Sequence, residues 1–220
     1  MTNLRKAFLL IVFSVLLFAG AYAQTYLYGT VGIGRSEVKK FKLHYGGLAN
    51  TFIPNLYHVY ELGISHNLTS KFSVRASGGF SAYSCTVGLP EGYVPSSNDY
   101  YDKLNKFNYL SFPVGVRYNP KWGLNIEAGI VNNYFLKHTY QDVQFFYNIK
   151  KYTAIPYWGF SYTFFDRLEV GFIDHLYLSN FATYTNWYEQ TNGIEPSVFF
   201  KYDVWNVYVS YKIRLSKHNE

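Results

Sequence analysis

The segment NYLSFPVGVRYNPKWGLNIEAGIVNNYFLK, residues 108–137, decides the fold. It predicts two long strands joined by a short turn at residues 119–121. In the second strand one set of alternate residues is apolar and the other is small or polar: Leu124, Ile126, Ala128 and Ile130 against Asn125, Glu127, Gly129 and Val131. A period of two gives a strand one apolar face. Whether that face points into a core or out into lipid depends on the rest of the chain.

Residues 1–23 have the features of a secretory signal peptide. Arg5 and Lys6 precede an apolar run over residues 7–20, and an Ala-x-Ala cleavage pattern ends at Ala23. The alternative, a retained membrane helix, is disfavoured because the run is shorter than the ~20 residues that a spanning helix needs. Position 24 is Gln rather than Cys, so a lipoprotein anchor is not supported. We expect residues 1–23 to be the signal peptide and residues 24–220 to form one exported domain.

The composition is unusually aromatic, with 24 Tyr, 19 Phe and 4 Trp making up 21% of the chain. Without the two basic residues of the signal peptide, 18 Lys and Arg face 14 acidic residues, for a net charge of +4. These charges are spread along the chain, so nucleic-acid binding is not indicated. Cys85 is the only cysteine and cannot form an internal disulfide. An exported chain without disulfides needs another source of stability, which a closed, hydrogen-bonded barrel supplies.

The alternation recurs along the chain and predicts eight strands. The last strand is typical, with Trp205, Val207 and Val209 on its apolar face. From residue 205 to 215, at about 3.3 Å per residue and a tilt of about 40°, it rises about 25 Å, close to the height of the apolar band of a membrane barrel. The predicted strands cover residues 25–34, 56–66, 71–84, 108–118, 124–137, 151–164, 167–177 and 199–215.

The connections between these strands alternate between long and short. The long ones cover residues 35–54, 85–106, 138–150 and 178–197, and the short ones cover residues 67–70, 119–121 and 165–167. Transmembrane barrels have this asymmetry, with short periplasmic turns and long extracellular loops. The sequence therefore predicts an all-β, eight-stranded antiparallel transmembrane β-barrel in the outer membrane of a Gram-negative cell. The alternative is a soluble periplasmic, lipocalin-like barrel that binds a ligand, with its apolar faces turned inward.

Two prolines fall inside predicted strands. Pro113 and Pro156 each lack the N–H that a sheet neighbour would accept. A closed barrel has no free edge where such a residue is harmless. We expect a bulge or a missing hydrogen bond at each position.

Residues 109–118, YLSFPVGVRY, followed by residues 124–129, LNIEAG, resemble a known motif. It belongs to the small outer-membrane β-barrel family abundant in Bacteroidetes, which includes PorT-like proteins. In that pattern an aromatic-Leu-polar-apolar-Pro strand ends in a basic residue and Tyr, and an apolar-Glu-Ala-Gly strand follows a short turn. The resemblance implies the barrel fold and a place for Pro113 within it. It also implies one specific role, an accessory component of protein secretion.

If the apolar faces meet lipid, the opposite faces point into the barrel. They carry three acids and four bases from six strands: Glu61, Arg75, Arg117, Glu127, Glu169, Lys212 and Arg214. An eight-stranded barrel is only wide enough for side chains to fill it, and buried charges need partners. We therefore predict a structural ion-pair network that plugs the interior. The alternative is a path for protons or a solute.

The sequence predicts no metal, no cofactor and no catalytic residues. His58 and His138 fall on outward faces and His175 on an inward face, and no tight His spacing supports a metal site. A hydrolase or acyltransferase needs a nucleophile, a histidine and an orienting group at one level of one face. No such arrangement is recognisable. An outer-membrane lipid-modifying enzyme remains the alternative to a non-enzymatic protein.

The long connections are rich in aromatic residues, which suit contact with a protein or glycan. They equally suit packing on one another or within an aromatic girdle. The leading hypothesis is a structural or interaction role, with outer-membrane lipid around the barrel. A protein partner would meet its extracellular loops or periplasmic turns. The aromatic residues are Tyr93, Tyr100, Tyr101, Tyr140, Tyr147, Tyr184, Tyr188 and Trp187.

Overall fold

A computed structural model describes residues 24–42, 50–90, 103–120, 122–140, 149–176, 180–184 and 198–215. The signal peptide predicted for residues 1–23 lies outside them. The strands are β1 (Thr25–Lys42), β2 (Asn50–Asn67), β3 (Phe72–Pro90), β4 (Lys103–Tyr118), β5 (Leu124–Tyr140), β6 (Tyr152–Phe164), β7 (Leu168–His175), β8 (Ala182–Tyr184) and β9 (Val198–Arg214).

The sheet closes on itself. Each strand from β1 to β7 pairs with the next in antiparallel fashion, β7 pairs with β9, and β9 pairs with β1. The three-residue β8 lies beside the outer end of β9 and takes no part in the closure. The predicted eight-stranded antiparallel barrel is confirmed, and its eighth strand is β9. No helix in the described parts of the chain is long and apolar enough to cross a bilayer.

The two faces of the wall differ as the alternation predicts. On β5, Leu124, Ile126 and Ile130 are exposed, whereas Asn125 and Glu127 are buried. The other strands repeat the pattern, so apolar side chains cover the outside and polar ones fill much of the inside. A lipid-facing wall requires this arrangement because hydrocarbon solvates apolar groups only. The lipocalin-like alternative, with its apolar faces inward, is wrong.

Several strands run further than predicted. The predicted connection over residues 35–54 is mostly strand, because β1 continues to Lys42 and β2 begins at Asn50. The alternation continues there with charged residues on the outer face, which a membrane-centred pattern does not recognise. Lys39 bonds to Asp203 across the β1–β9 pair. This hydrogen bond to a carboxylate favours the charged form and raises the pKa of the Lys39 ammonium. Both side chains are exposed.

The short turns lie at one end of the barrel, the periplasmic end. The predicted three-residue turn at residues 119–121 is longer than expected and covers residues 119–123, since β5 begins only at Leu124. Trp122 and Gly123 have positive φ angles of 57° and 78°, which ordinary strand residues do not adopt. At the β6–β7 turn, Phe165 and Asp166 also have positive φ angles, 50° and 60°.

The prolines disturb the ladders locally. Pro113 pairs in register with Val131 on β5, but the β3–β4 ladder is interrupted between the pairs Ala76–Val114 and Gly79–Ser111. At Pro156, the Leu176 N–H donates to the proline carbonyl, just beyond the end of the β6–β7 ladder. Pro156 has no N–H to return that bond. Each proline therefore lacks one ladder hydrogen bond, as expected, and neither proline lies at a bulge.

Candidate functional site

A cluster of charged side chains fills the periplasmic half of the interior. Arg117 on β4 faces Glu127 on β5, its direct partner in the ladder, with Nη2 2.6 Å from Oε2. The same guanidinium reaches across to Glu169 on β7, with Nη1 2.6 Å from Oε2. Arg75 on β3 places Nη1 3.0 Å from Glu127 and 3.3 Å from Glu169. The ion pairs thus join strands on opposite sides of the barrel.

Glu169 is the centre of this cluster and is fully buried. Besides the two arginines, the Lys212 ammonium lies 2.7 Å from Glu169 Oε2. Tyr208 donates its hydroxyl hydrogen to Glu169 over 2.7 Å, and Tyr157 does the same for Glu127 over 2.6 Å. Each carboxylate is therefore surrounded by donors, which is the condition for tolerating a charge away from water.

A small cavity lies just above the charged cluster. It has a volume of about 30 Å³ and is lined by Glu61, Arg75, Tyr57, His175 and Asn206 among others. Arg75 Nε and Asn206 Oδ1 are buried there without a hydrogen-bond partner among the described residues. A space of this size has room for a water molecule and is too small for a substrate.

Aromatic side chains fill the extracellular half of the barrel. Tyr202 stacks on Tyr83 with ring centroids 4.8 Å apart and on Phe181 at 3.8 Å. Phe107 meets Phe181 edge-on at 5.3 Å. These rings are buried, and Cys85 is buried in the same cluster. The interior therefore has a polar lower layer and an apolar upper layer.

Below the charged cluster, the barrel opens toward the periplasm in a cup of about 890 Å³. We call this space the periplasmic cup. Lys212 and Asn125 lie at its floor, and all three short turns contribute to its rim. Among the described residues that line it, five are basic and one is acidic: Lys71, Arg117, Arg167, Lys212 and Arg214, with Asp166.

The structure brings five of the seven predicted interior charges into one ion-paired cluster. Glu61 is half-buried and accepts a hydrogen bond from Ser77 over 3.0 Å, but it makes no direct ion pair in the described structure. Arg214 does not belong to the buried network. Its position on β9 is inward by alternation, yet it is the last strand residue and stands exposed at the mouth of the cup.

Three inward tyrosines also belong to the cluster, although a search of the sequence for interior charges does not find them. Tyr28, Tyr157 and Tyr208 occupy inward positions and complete the cluster. Tyr28 lies under the Arg75 guanidinium, and the distance from Arg75 Cζ to the Tyr28 ring centroid is 3.9 Å. Inward tyrosines at the level of buried carboxylates are expected donors. The positively charged rim could not be found in the same way, because turn residues have no alternation.

The histidines do not converge. His175 is buried and inward, as predicted. The outward position predicted for His138 is wrong: it pairs in the ladder with the buried Phe107 and stacks on that ring at 4.4 Å, because the β4–β5 register shifts between Asn108 and Tyr109. His138 is half-buried and bonds to Asn105, while His66 bonds to Thr25. Within the described residues, no group of three His, Cys, Asp or Glu side chains could hold a metal ion. The side chains of the loop tyrosines and of Trp187 lie outside the described parts of the structure.

No family model matches the chain, and no curated protein matches it. Solved structures do. The outer membrane protein OprG from Pseudomonas aeruginosa matches with a TM-score of 0.52 and 10% identity, over 87% of this chain and 96% of that one. Ail from Yersinia pestis, at 10% identity over 84% and 98% of the two chains, has a TM-score of 0.37. The likeness to OprG shows that the fold is that of an outer-membrane β-barrel.

Proposed function

We propose that this protein is a non-enzymatic outer-membrane barrel with a closed interior, which serves as a structural or interaction protein. The observation that carries this proposal is the filled lumen. The Arg75–Arg117–Glu127–Glu169 cluster closes the interior above the periplasmic cup, and stacked aromatic rings fill the extracellular half. Side chains that fill the width of an eight-stranded barrel leave no room for a solute.

Export and location follow from the same reasoning. The apolar outer face needs a bilayer, and the signal-peptide pattern of residues 1–23 supplies the route across the inner membrane. Outer membranes accept barrels of this kind, with the short turns in the periplasm. We place residues 24–220 there as a single barrel domain.

A more specific role follows from the motif over residues 109–129. Its similarity to PorT-like proteins supports an accessory part in protein secretion, with a protein partner at the loops or the periplasmic turns. The structure is compatible with that role, because a filled barrel contributes surfaces and not a passage. Co-purification of a secretion component with the tagged protein from its own cells tests it, with an equally abundant barrel as the control.

Single-channel recording tests the closed interior. Purified protein inserted into planar bilayers is expected to give no steady conductance steps. A matched variant, Arg75→Ala with Tyr83→Ala, removes one large side chain from each layer and serves as the comparison. Steady steps from the wild-type protein would overturn the proposal, and outer-membrane fractionation with a heat-modifiable gel shift verifies that the sample is folded.

A further inference from the structure

The periplasmic cup has one open end. Its floor is the charged cluster, in which Arg117 and Glu169 are almost completely buried. A ligand that enters from the periplasm must therefore leave by the same mouth. This geometry suits the end of a chain or a small molecule and excludes a polymer that passes through.

The walls of the cup are hydrophilic. Ser65, Ser73 and Thr163 contribute hydroxyl groups, and Asn125 and Asn119 contribute amides. The volume of about 890 Å³ is within the range of small-ligand sites and accommodates a few peptide residues. The Asn125 amide nitrogen already donates to Gly123, Ser161 and Thr163, so a peptide N–H would meet the amide oxygen of this residue.

The charge of the cup is positive at both depths. At the floor, the described lining presents Arg117 and Lys212 and no acid, and both are ion-paired with the carboxylates behind them, Glu127 and Glu169. The Lys212 side chain lines the cup and is 13% exposed, and its ammonium also bonds to Glu169 and Thr163. At the rim, Lys71 and Arg167 are exposed, and Asp166 is the single acid among the lining residues that the structure describes. An anionic group is thus attracted at the mouth and again at the floor.

Two aromatic side chains stand at the rim in an unfavourable backbone conformation. Trp122 and Phe165 both line the cup, are 87% and 91% exposed, and have positive φ angles of 57° and 50°. Bulky residues rarely adopt this conformation, which the strands on either side of each short turn impose. Aromatic rings held at the mouth of a basic cup suit contact with the residues that precede a bound terminus.

From these observations we infer that the periplasmic cup binds the carboxy-terminal end of a peptide. The terminal carboxylate meets Lys212, acidic side chains meet Lys71 and Arg167, and Trp122 and Phe165 contact the residues outside. This capture of a chain end by its carboxylate is a known mode of peptide recognition. The inference rests on the closed interior of the proposed function and adds the chemistry of the partner.

The test uses the full mature chain in nanodiscs of neutral phosphatidylcholine and an N-acetylated tetrapeptide of alternating Asp and Tyr. Isothermal titration is expected to show binding of the free acid, weakened by salt and at least about tenfold weaker for the C-terminal amide. A version that ends in a D-residue separates the two sources of such an end, a protein terminus and a cell-wall stem peptide. The tighter of the two forms assigns the source.

Two double variants change the site, and a third serves as the control. Lys71→Glu with Arg167→Glu reverses exposed rim charges and is expected to abolish binding, whereas Lys150→Glu with Lys151→Glu makes the same change at the extracellular end and leaves binding intact. Trp122→Asn with Phe165→Asn removes the rings but keeps residues that tolerate positive φ, and it should weaken binding. Absence of binding by the wild type, equal binding of acid and amide, or equal effects of the two charge reversals would overturn the inference. Channel recordings fail or succeed independently of this assay.

Discussion

Arg117 and Glu127 face each other directly across the β4–β5 hairpin, and their side chains meet inside the barrel at 2.6 Å. They belong to neighbouring strands of the segment that decides the fold. Because Glu127 also holds Arg75, one carboxylate joins three strands. Stability should therefore depend on this residue more than on any surface ion pair.

Replacing the carboxylate tests that dependence. Glu127→Gln leaves Arg75, Arg117 and Lys212 with Glu169 as their only anion in the cluster. An uncompensated buried charge costs about 3–5 kcal/mol, so the free energy of unfolding should fall by about that amount. Urea unfolding in detergent micelles, followed by tryptophan fluorescence, measures it.

The control for this variant is Glu37→Gln. Glu37 lies 3.7 Å from Arg35 on the outer face, where both side chains are exposed. An exposed pair of this kind contributes about 0–1 kcal/mol.

The double variant Arg117→Met with Glu127→Gln should cost less unfolding free energy than the sum of its single changes, because the two residues are coupled. Strict additivity would contradict the paired arrangement.

Glycines make room for the inward tyrosine rings. A Cβ on Gly171 would lie 2.6 Å from Tyr208 Cε1 and 2.6 Å from Ser161 Cβ. Gly171→Ala should push the Tyr208 ring away and break its bond to Glu169, at a cost of about 1–3 kcal/mol in unfolding free energy. Gly29→Ala is the matched control, since its Cβ would meet only Leu62 Cδ2 at 3.4 Å and a backbone oxygen at 3.9 Å. Equal losses from both variants would show that packing around Tyr208 is not tight.

The β6–β7 turn stores strain that can be removed. Arg167 N–H donates to the Phe164 carbonyl, and both central residues, Phe165 and Asp166, have positive φ angles. This is the pattern of a type I′ turn, which favours Asn-Gly. Phe165→Asn with Asp166→Gly should raise the unfolding free energy by about 1–2 kcal/mol. The same measurement on Ser70→Gly, in a turn without positive φ angles, should show no gain.

Cys85 reports on the upper layer of the interior. Its side chain is fully buried among the aromatic rings, so a maleimide reagent should not label the folded barrel. Heat unfolding should expose it and add one label, as mass spectrometry would detect. Ser70→Cys places a second thiol on an exposed turn and should label at once in the folded state. Labelling of Cys85 at the same rate would mean that the upper layer opens.

The sequence predicted which side chains face lipid and which face the interior, because the membrane requires an apolar outer face. The period of two predicted which side chains of β5 face lipid, because a strand with its two faces exchanged would place Glu127 in hydrocarbon. The alternation also predicted that Arg214 faces inward, but it could not predict how far along the barrel axis this residue lies. That position decides whether a charge is buried or exposed to water. The same limit applies to strand length, because Glu37 and Lys39 continue the alternation outside the bilayer. Distances across the lumen, such as that between Arg117 and Glu169, follow from the closed wall and not from local pattern.

The turns were the least predictable parts. The residue types of Trp122 and Phe165 do not indicate a positive φ angle, because the strands on either side impose that conformation. Among the described residues, the excess of positive charge around the periplasmic cup likewise comes from two turns, with Lys71 and Arg167, and from the ends of β4 and β9, which closure brings together.

The ladder between β1 and β9 has a consequence for how the molecule assembles. It is the longest uninterrupted pairing in the barrel, from Tyr26–Arg214 to Lys42–Val198, and it joins the first strand to the last. Contacts so distant in sequence form slowly, and the free edge of β1 stays unpaired until the final strand arrives. The barrel therefore cannot close while the chain is being synthesised or delivered. Shortening the carboxy terminus into β9 would leave an open edge prone to aggregation.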